Sequence, residues 1–211
     1  MRSVLFMSRK GGTGKSTLTC SVADTYAKKG FDAFILDGDP MGSSINWFMK
    51  QKRVYPNGSL TCEKIQGDLR GPIEEAKKKY DIVLIDTPGS DCIELRSSLL
   101  SVETAILTLK SSDVDMDTKG YMQDLVLRAK EKNPKLKIKT LVTMVDHYIS
   151  EDHLKHYIHL LSEAGLSPFP TAIQNLEAFH EAMAVGISVQ DLRSYKAKKQ
   201  INSVLEGLES E

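Results

Sequence analysis

One short segment constrains this chain more than any other. The apolar run Val4-Leu5-Phe6-Met7 passes through Ser8 into Arg9-Lys10-Gly11-Gly12-Thr13-Gly14-Lys15-Ser16-Thr17, and helix-forming sequence follows directly. Closely spaced glycines propagate neither a strand nor a helix, so a tight loop is expected between the two. Such a loop turns its N–H groups onto the positive end of the following helix, which makes it a cradle for phosphate oxygens. In that setting Lys15 is placed to reach the β and γ phosphates of a nucleotide, and the Ser16 hydroxyl to ligate Mg²⁺.

The remainder alternates apolar, β-favouring runs with helix-length segments, the pattern of an α/β fold with a mostly parallel, twisted sheet covered by helices on both faces. Strands are predicted at Val4–Ser8, Ala33–Asp37, Ile82–Asp86, Thr104–Leu109, Lys139–Thr143 and Phe169–Ala172. Helices are predicted at Lys15–Lys29, Ile73–Tyr80, Met116–Lys132, Glu151–Ala164, Leu176–Ala184 and Ser194–Leu208. Gly30 suits the cap that ends the first helix. The stretch 45–72 carries the weakest pattern, with a short helix through Trp47 and a minor strand around Leu60-Thr61-Cys62. No repeat, low-complexity tract or interdomain linker interrupts the chain, so residues 1–211 are expected to form a single domain, a size that supports one sizeable core.

Composition excludes several classes. No apolar stretch approaches the roughly 20 residues of a membrane-spanning helix, and the N-terminus lacks the pattern of a secretory signal. Cys20, Cys62 and Cys92 are scattered and odd in number, which suits reduced thiols in a cytoplasm. The 28 basic and 28 acidic residues cancel, so overall charge does not advertise a nucleic-acid binder. Basic residues nevertheless cluster between Arg128 and Lys139, and again at Arg193, Lys196, Lys198 and Lys199. Such runs are most often solvated helix faces.

Two acidic segments strengthen the phosphate reading. Ile35-Leu36-Asp37-Gly38-Asp39-Pro40 sets two carboxylates at the end of a predicted strand, and Ile82-Val83-Leu84-Ile85-Asp86-Thr87-Pro88-Gly89 ends another on Asp86. Strands often end in Asp, so each alone says little; together with the loop they form a coherent metal and phosphate set. The general phosphate-loop pattern GxxxxGK[ST] asks for glycine where Arg9 stands. The variant KGGxGK[ST] is matched in full by Lys10 to Ser16, and this box resembles the deviant Walker A motif of the ParA/MinD ATPases. Asp37-Gly38-Asp39-Pro40 resembles that family's DxDP box, and the segment ending at Asp86 its Walker B box. Thr143-Met144-Val145-Asp146 looks like the family's turn beside the base, and Thr171 through Ala182 followed by Gly186-Ile187-Ser188-Val189 like the late segment that closes over the adenine and rejoins the core.

The resemblance spans nearly the whole chain and implies an Mg²⁺-dependent ATPase using ATP, slow unless a partner stimulates it. It implies that Lys10, Gly11, Gly12, Thr13, Gly14, Lys15, Ser16 and Thr17 hold the phosphates, with Met144 and Asp146 near the base. Ser16, Asp39 and Asp86 would serve the metal. ATP binding would produce a homodimer in which Lys10 of each subunit reaches the partner's phosphates, with Lys10, Lys15 and Asp39 catalytic. Asp39 would position the attacking water and Gly89 would sense the γ phosphate. With the first strand starting at Val4, no N-terminal DNA-binding extension is expected, and the short plasmid-partition ParA proteins are the most similar type. These imply DNA segregation with a centromere-binding partner, non-specific DNA binding, no membrane, and a cytoplasmic, nucleoid-associated location. Two features depart from the family: Leu109-Lys110-Ser111-Ser112-Asp113 stands where prolines are common, and Gln174-Asn175-Leu176 lacks a common basic residue.

Other readings stay open. The same motifs serve ATPases that position a protein cargo through an adaptor, and a nucleotide-gated scaffold would need little hydrolysis. A P-loop biosynthetic enzyme resembling dethiobiotin synthetase shares the fold but does not require Lys10. His147, His153, His156 and His159 tempt a metal reading, although a polar helix face explains them better. Cys92 has no following cysteine to help ligate an iron–sulfur cluster. The stripe Ala197, Ile201, Val204, Leu205 and Leu208 is expected to dock on the core rather than on lipid.

Overall fold

The structure is a computed structural model that describes residues 2–210 apart from 112–117, 147 and 164, with the backbone alone along 118–124. Strands and helices alternate as β1 (Arg2–Met7), α1 (Lys15–Lys28), β2 (Ala33–Asp37), α2 (Ser43–Val54), β3 (Thr61–Lys64), α3 (Arg70–Lys79), β4 (Ile82–Asp86) and α4 (Ile93–Leu99). They continue as β5 (Thr104–Lys110), α5 (Thr118–Lys132), β6 (Lys137–Val145), α6 (Glu151–Glu163), β7 (Pro168–Gln174), α7 (Glu177–Val185) and α8 (Tyr195–Glu209). The strands form one sheet in the order β3-β2-β4-β1-β5-β6-β7, and every pairing is parallel.

Parallel strands need crossover connections, which place helices on both faces and bury the strands on both sides. Here β2 and β4 are buried at every position, which is why both read as unbroken apolar runs. Alternation along β1 divides the core. Val4 and Phe6 point to one face, where Leu18, Val22 and Tyr26 of α1 and Ile201 and Leu205 of α8 meet them. Leu5 and Met7 point to the other, against Ile73 of α3 and Leu95 and Leu99 of α4. The stripe on α8 is buried as expected, from Ala197 through Leu208.

Two stretches depart from the pattern read in the sequence. α3 begins at Arg70, ahead of the predicted Ile73, because Gly71-Pro72 falls in its first turn, where proline's missing N–H has no helical partner to lose. α4 has no counterpart among the predicted helices. It is short and weakly patterned, and burial of Leu95 and Leu99 beside α3 holds it. Of the predicted helix ends, Met116 and Ala164 lie outside the described residues.

β1 lies between β4 and β5, so the chain builds outward to one side and then to the other. The crevice at such a reversal, beyond the carboxyl ends of the strands, is where open α/β sheets place ligands. Register brings Phe6 beside Asp86 and Asp37 beside Asp86 at that edge.

Candidate functional site

The loop between β1 and α1 closes over its own lysine. Gly14 adopts φ +82°, a left-handed conformation that a side chain would strain, and α1 starts at the next residue with no side-chain cap. The first-turn N–H groups of α1 therefore stay available to an anion. Lys15 is buried, and its Nζ donates to Ser8 Oγ at 2.9 Å; Ser8 Oγ in turn donates to the Lys10 carbonyl at 2.6 Å. On the other side, Thr108 of β5 donates to the Met7 carbonyl, which leaves its oxygen to accept from Thr13 Oγ1 at 2.8 Å. The loop is thus pinned to two strands. Lys110, at the end of β5, brings its Nζ to 3.6 Å from where a Cβ on Gly12 would lie. Lys10, Gly11 and Gly12 are exposed, and Ser16 and Thr17 half-buried.

Two buried carboxylates stand beside this loop. Asp37 is consumed by main chain: its Oδ1 accepts from the Asp39 N–H at 3.0 Å and its Oδ2 from the Ile45 N–H at 2.8 Å. Burial raises its carboxyl above the ordinary value, against the pull of those two N–H groups. Asp86 is wholly buried; its Oδ2 accepts from Ser44 Oγ at 2.8 Å, and its Oδ1 finds no hydrogen-bond partner among the described residues. Burial pushes the Asp86 carboxyl up to about 6, although the Ser16 and Ser44 hydroxyls favour its charged form. Burial also pushes the Lys15 ammonium down, with the Asp86 and Asp39 carboxylates pulling the other way. An acid raised and a base lowered at one spot mark charges that the bare protein leaves undersolvated. Such a place fits a bound cation with a polyanion.

Asp39 is half-buried, and its Oδ1 accepts from the Met41 N–H at 2.9 Å. Gly89 lies against the loop so closely that a Cβ there would sit 2.8 Å from Gly11 N and 2.9 Å from Gly11 Cα. The segment after Asp86 therefore touches the phosphate loop directly.

A cleft beside the loop is walled by Thr17, Met144, Ile173, Asn175, Phe179 and His180. Met144, the last residue but one of β6, is left-handed at φ +53°, inside the register shift between Val142 and Val145. His180 Nε2 and Asn175 Oδ1 are 2.8 Å apart across the cleft's edge. Asp146 stands outside this lining, exposed, and accepts from Tyr148 Oη at 2.8 Å. Asn175, Phe179 and His180 fall inside the late segment that the resemblance set over the adenine, but nothing local to β7 or α7 picks out these three as the side chains that converge on Gly14. His153, His156 and His159 are exposed on α6. The Cys92 thiol caps α4, accepting from the Leu95 N–H at 3.4 Å.

The sequence signature of the CobQ/CobB/MinD/ParA nucleotide-binding domain matches residues 4–189. The chain belongs to this family. Solved ParA/MinD structures share its fold. The ATP complex of McdA from Cyanothece superposes with a TM-score of 0.79 at 14% identity, covering 99% of this chain and 96% of that one. The MinC:MinD cell division protein complex of Aquifex aeolicus gives 0.75 at 17% identity, over 100% and 97%. A plasmid partition protein from Borrelia burgdorferi gives 0.67 at 16%, over 99% and 98%. In this ParA/MinD member the deviant loop, the paired strand-end carboxylates and Gly89 stand together at the carboxyl edge of β1, β2 and β4.

Proposed function

We propose that this chain is an Mg²⁺-dependent ATPase that dimerises on ATP and segregates DNA together with a centromere-binding partner. The observation that carries the nucleotide part is the buried Asp86 with its unpartnered Oδ1, next to Lys15 and the open first turn of α1. An orphaned buried carboxylate oxygen is costly, and a metal's water shell is what such an oxygen at this position suits.

On this reading the N–H groups of 11–17 and the Lys15 ammonium bind the phosphates, while Ser16 and Asp86 hold the metal. Bound Mg²⁺ supplies charge neutralisation for the terminal phosphates. Asp39 orients the attacking water, Lys10 completes the partner's site, and Gly89 carries the state of the γ phosphate into the segment that follows. Thr17, Met144 and Phe179 enclose the base. The reading takes 1–211 as one ATPase domain, supported by the buried face of α8.

DNA segregation is supported by the likeness to the partition protein and by exposed Arg193, just before α8, and Lys196 and Lys199 at its start. The charge-neutral chain and the similarity to MinD in complex with MinC support a second reading, a protein cargo held through an adaptor. ATP-dependent binding of random-sequence duplexes separates the two. Wild type with ATP and Mg²⁺ should bind such DNA at low salt and release it with ADP, and Lys15→Ala should bind neither ATP nor DNA. Unchanged ATP affinity of Lys15→Ala by calorimetry defeats the nucleotide assignment; ATP binding without DNA binding moves the protein to the cargo reading.

A further inference from the structure

Among the residues touching Asp86, Ser44 belongs to none of the motifs that marked the site. It sits in the first turn of α2 with no exposed surface. Its hydroxyl has one proton, and that proton is committed: Cys20 Sγ donates to Ser44 Oγ at 3.5 Å, and Ser44 Oγ donates to Asp86 Oδ2 at 2.8 Å. The main chain on either side of Ser44 is held by the neighbouring strand, since Asp37 accepts the N–H groups of Asp39 and Ile45. Segment 39–45 is therefore fastened to β2 by its backbone and to β4 by this one side chain.

A carboxylate with a single fixed oxygen cannot rotate freely, and its second oxygen is presented in one direction. In Asp86 that second oxygen is Oδ1, the one without a protein partner among the described residues. We propose that Ser44 is a positioning residue that orients Asp86, so that Oδ1 alone is offered to the metal, and that ties the Asp39 loop and α2 to the metal-bearing carboxylate. This rests on the nucleotide reading given above. Partners that orient a metal's carboxylate from behind typically change metal affinity by about 10- to 100-fold when removed. No such effect is expected on the loop's hold on the phosphates, which Ser44 does not touch.

The experiment is calorimetric titration of the full chain with ATP, first in EDTA and then across a Mg²⁺ series. Wild type should bind ATP weakly in EDTA and more tightly as Mg²⁺ rises. Ser44→Ala should keep the EDTA affinity within about twofold and need roughly 10-fold more Mg²⁺ for the half-maximal gain. Ser44→Cys, which keeps the size and a weak donor, should fall between the two, and it provides the comparison if the alanine variant does not fold. Mg²⁺ dependence in the folded variant equal to wild type overturns the role of Ser44 while leaving the ATPase reading intact. An equal loss of affinity with and without Mg²⁺ overturns it too, by making Ser44 a structural support of the loop. Absence of any Mg²⁺-enhanced ATP binding in wild type defeats the nucleotide reading itself.

Discussion

Asp86 ends β4 wholly buried, with Oδ2 accepting from Ser44 and Oδ1 without a hydrogen-bond partner among the described residues. Its folded value of about 6 lies above the ordinary carboxylate value of 3.8, so the folded state holds its proton more tightly than the unfolded chain. Below about pH 4 both states are protonated and the shift costs nothing. Between about 4 and 6 the unfolded chain ionises first, and above 6 the full penalty, about 3 kcal/mol, weighs on the metal-free protein. Asp86→Asn removes that titration while leaving one oxygen to accept from Ser44. Part of the gain is offset by an amide N–H₂ with a poor choice of acceptors. In EDTA at pH 7 the variant should therefore unfold at higher temperature than wild type, by about 1–2 kcal/mol of stability, and the gap should narrow as pH falls through 6. The same variant should lose the Mg²⁺ enhancement of ATP binding. A variant less stable than wild type at pH 7, or a gap that widens in acid, contradicts this account.

At the scale of elements, the site depends on helix ends and strand ends capped from outside their own sequence. α2 starts after a left-handed Gly42 with no side-chain cap of its own, and the orphan N–H of Ile45 is satisfied by Asp37 from β2. α8, by contrast, carries its own cap, with Ser194 Oγ accepting from the Ala197 N–H at 3.3 Å. The turn after β4 works by close approach: the space that a Cβ at Gly89 would need is filled by the backbone of Lys10 and Gly11. Gly89→Ala must push the phosphate loop or the turn aside, while the strands beneath keep their packing. ATP affinity should fall by about 10-fold or more, with the apo protein losing only about 1–2 kcal/mol of stability. Calorimetry paired with thermal unfolding tests this. Full ATP affinity in the alanine variant would show that the turn and loop do not need this closeness.

For the whole molecule, the question is whether neutral overall charge still offers a DNA surface. Lys196 and Lys199 are exposed at the start of α8 and Arg193 just before it, while Lys198 is half-buried and its charge adds to the Lys28 and Tyr55 hydrogen bonds that hold the Asp191 carboxyl down. The competing basic stretch near β6 is partly engaged in the fold. Lys139 Nζ donates to the Gly207 carbonyl at 2.7 Å and lies 4.8 Å from the centre of the Phe169 ring. The α8 start is thus the better candidate, and the dimer proposed above would double it. Changing Lys196, Lys198 and Lys199 together to Glu should leave ATP binding intact. ATP-dependent binding of random duplexes should weaken, and its salt dependence should flatten by about one unit for each DNA phosphate that is no longer neutralised. Unaltered DNA binding in the triple variant would redirect attention to 128–139.

What the sequence determined by itself is what depends on contiguous residues. The glycine-rich loop after β1, the buried runs of β2 and β4 and the stripe of α8 are each legible within a dozen positions, because strand burial, glycine conformation and helical period are local properties. Tertiary structure decided whatever needs two distant segments to meet. The sequence marks Asp37 and Asp39 as a pair at one strand end, yet only the fold separates them, spending Asp37 on the backbone of α2 and leaving Asp39 half-exposed. Ser44 becomes part of the site only because parallel pairing sets β2 beside β4, and Phe179 and His180 only because α7 returns to the loop. α4 forms where its own pattern is weak, since burial against the sheet supplies what seven residues of local preference do not.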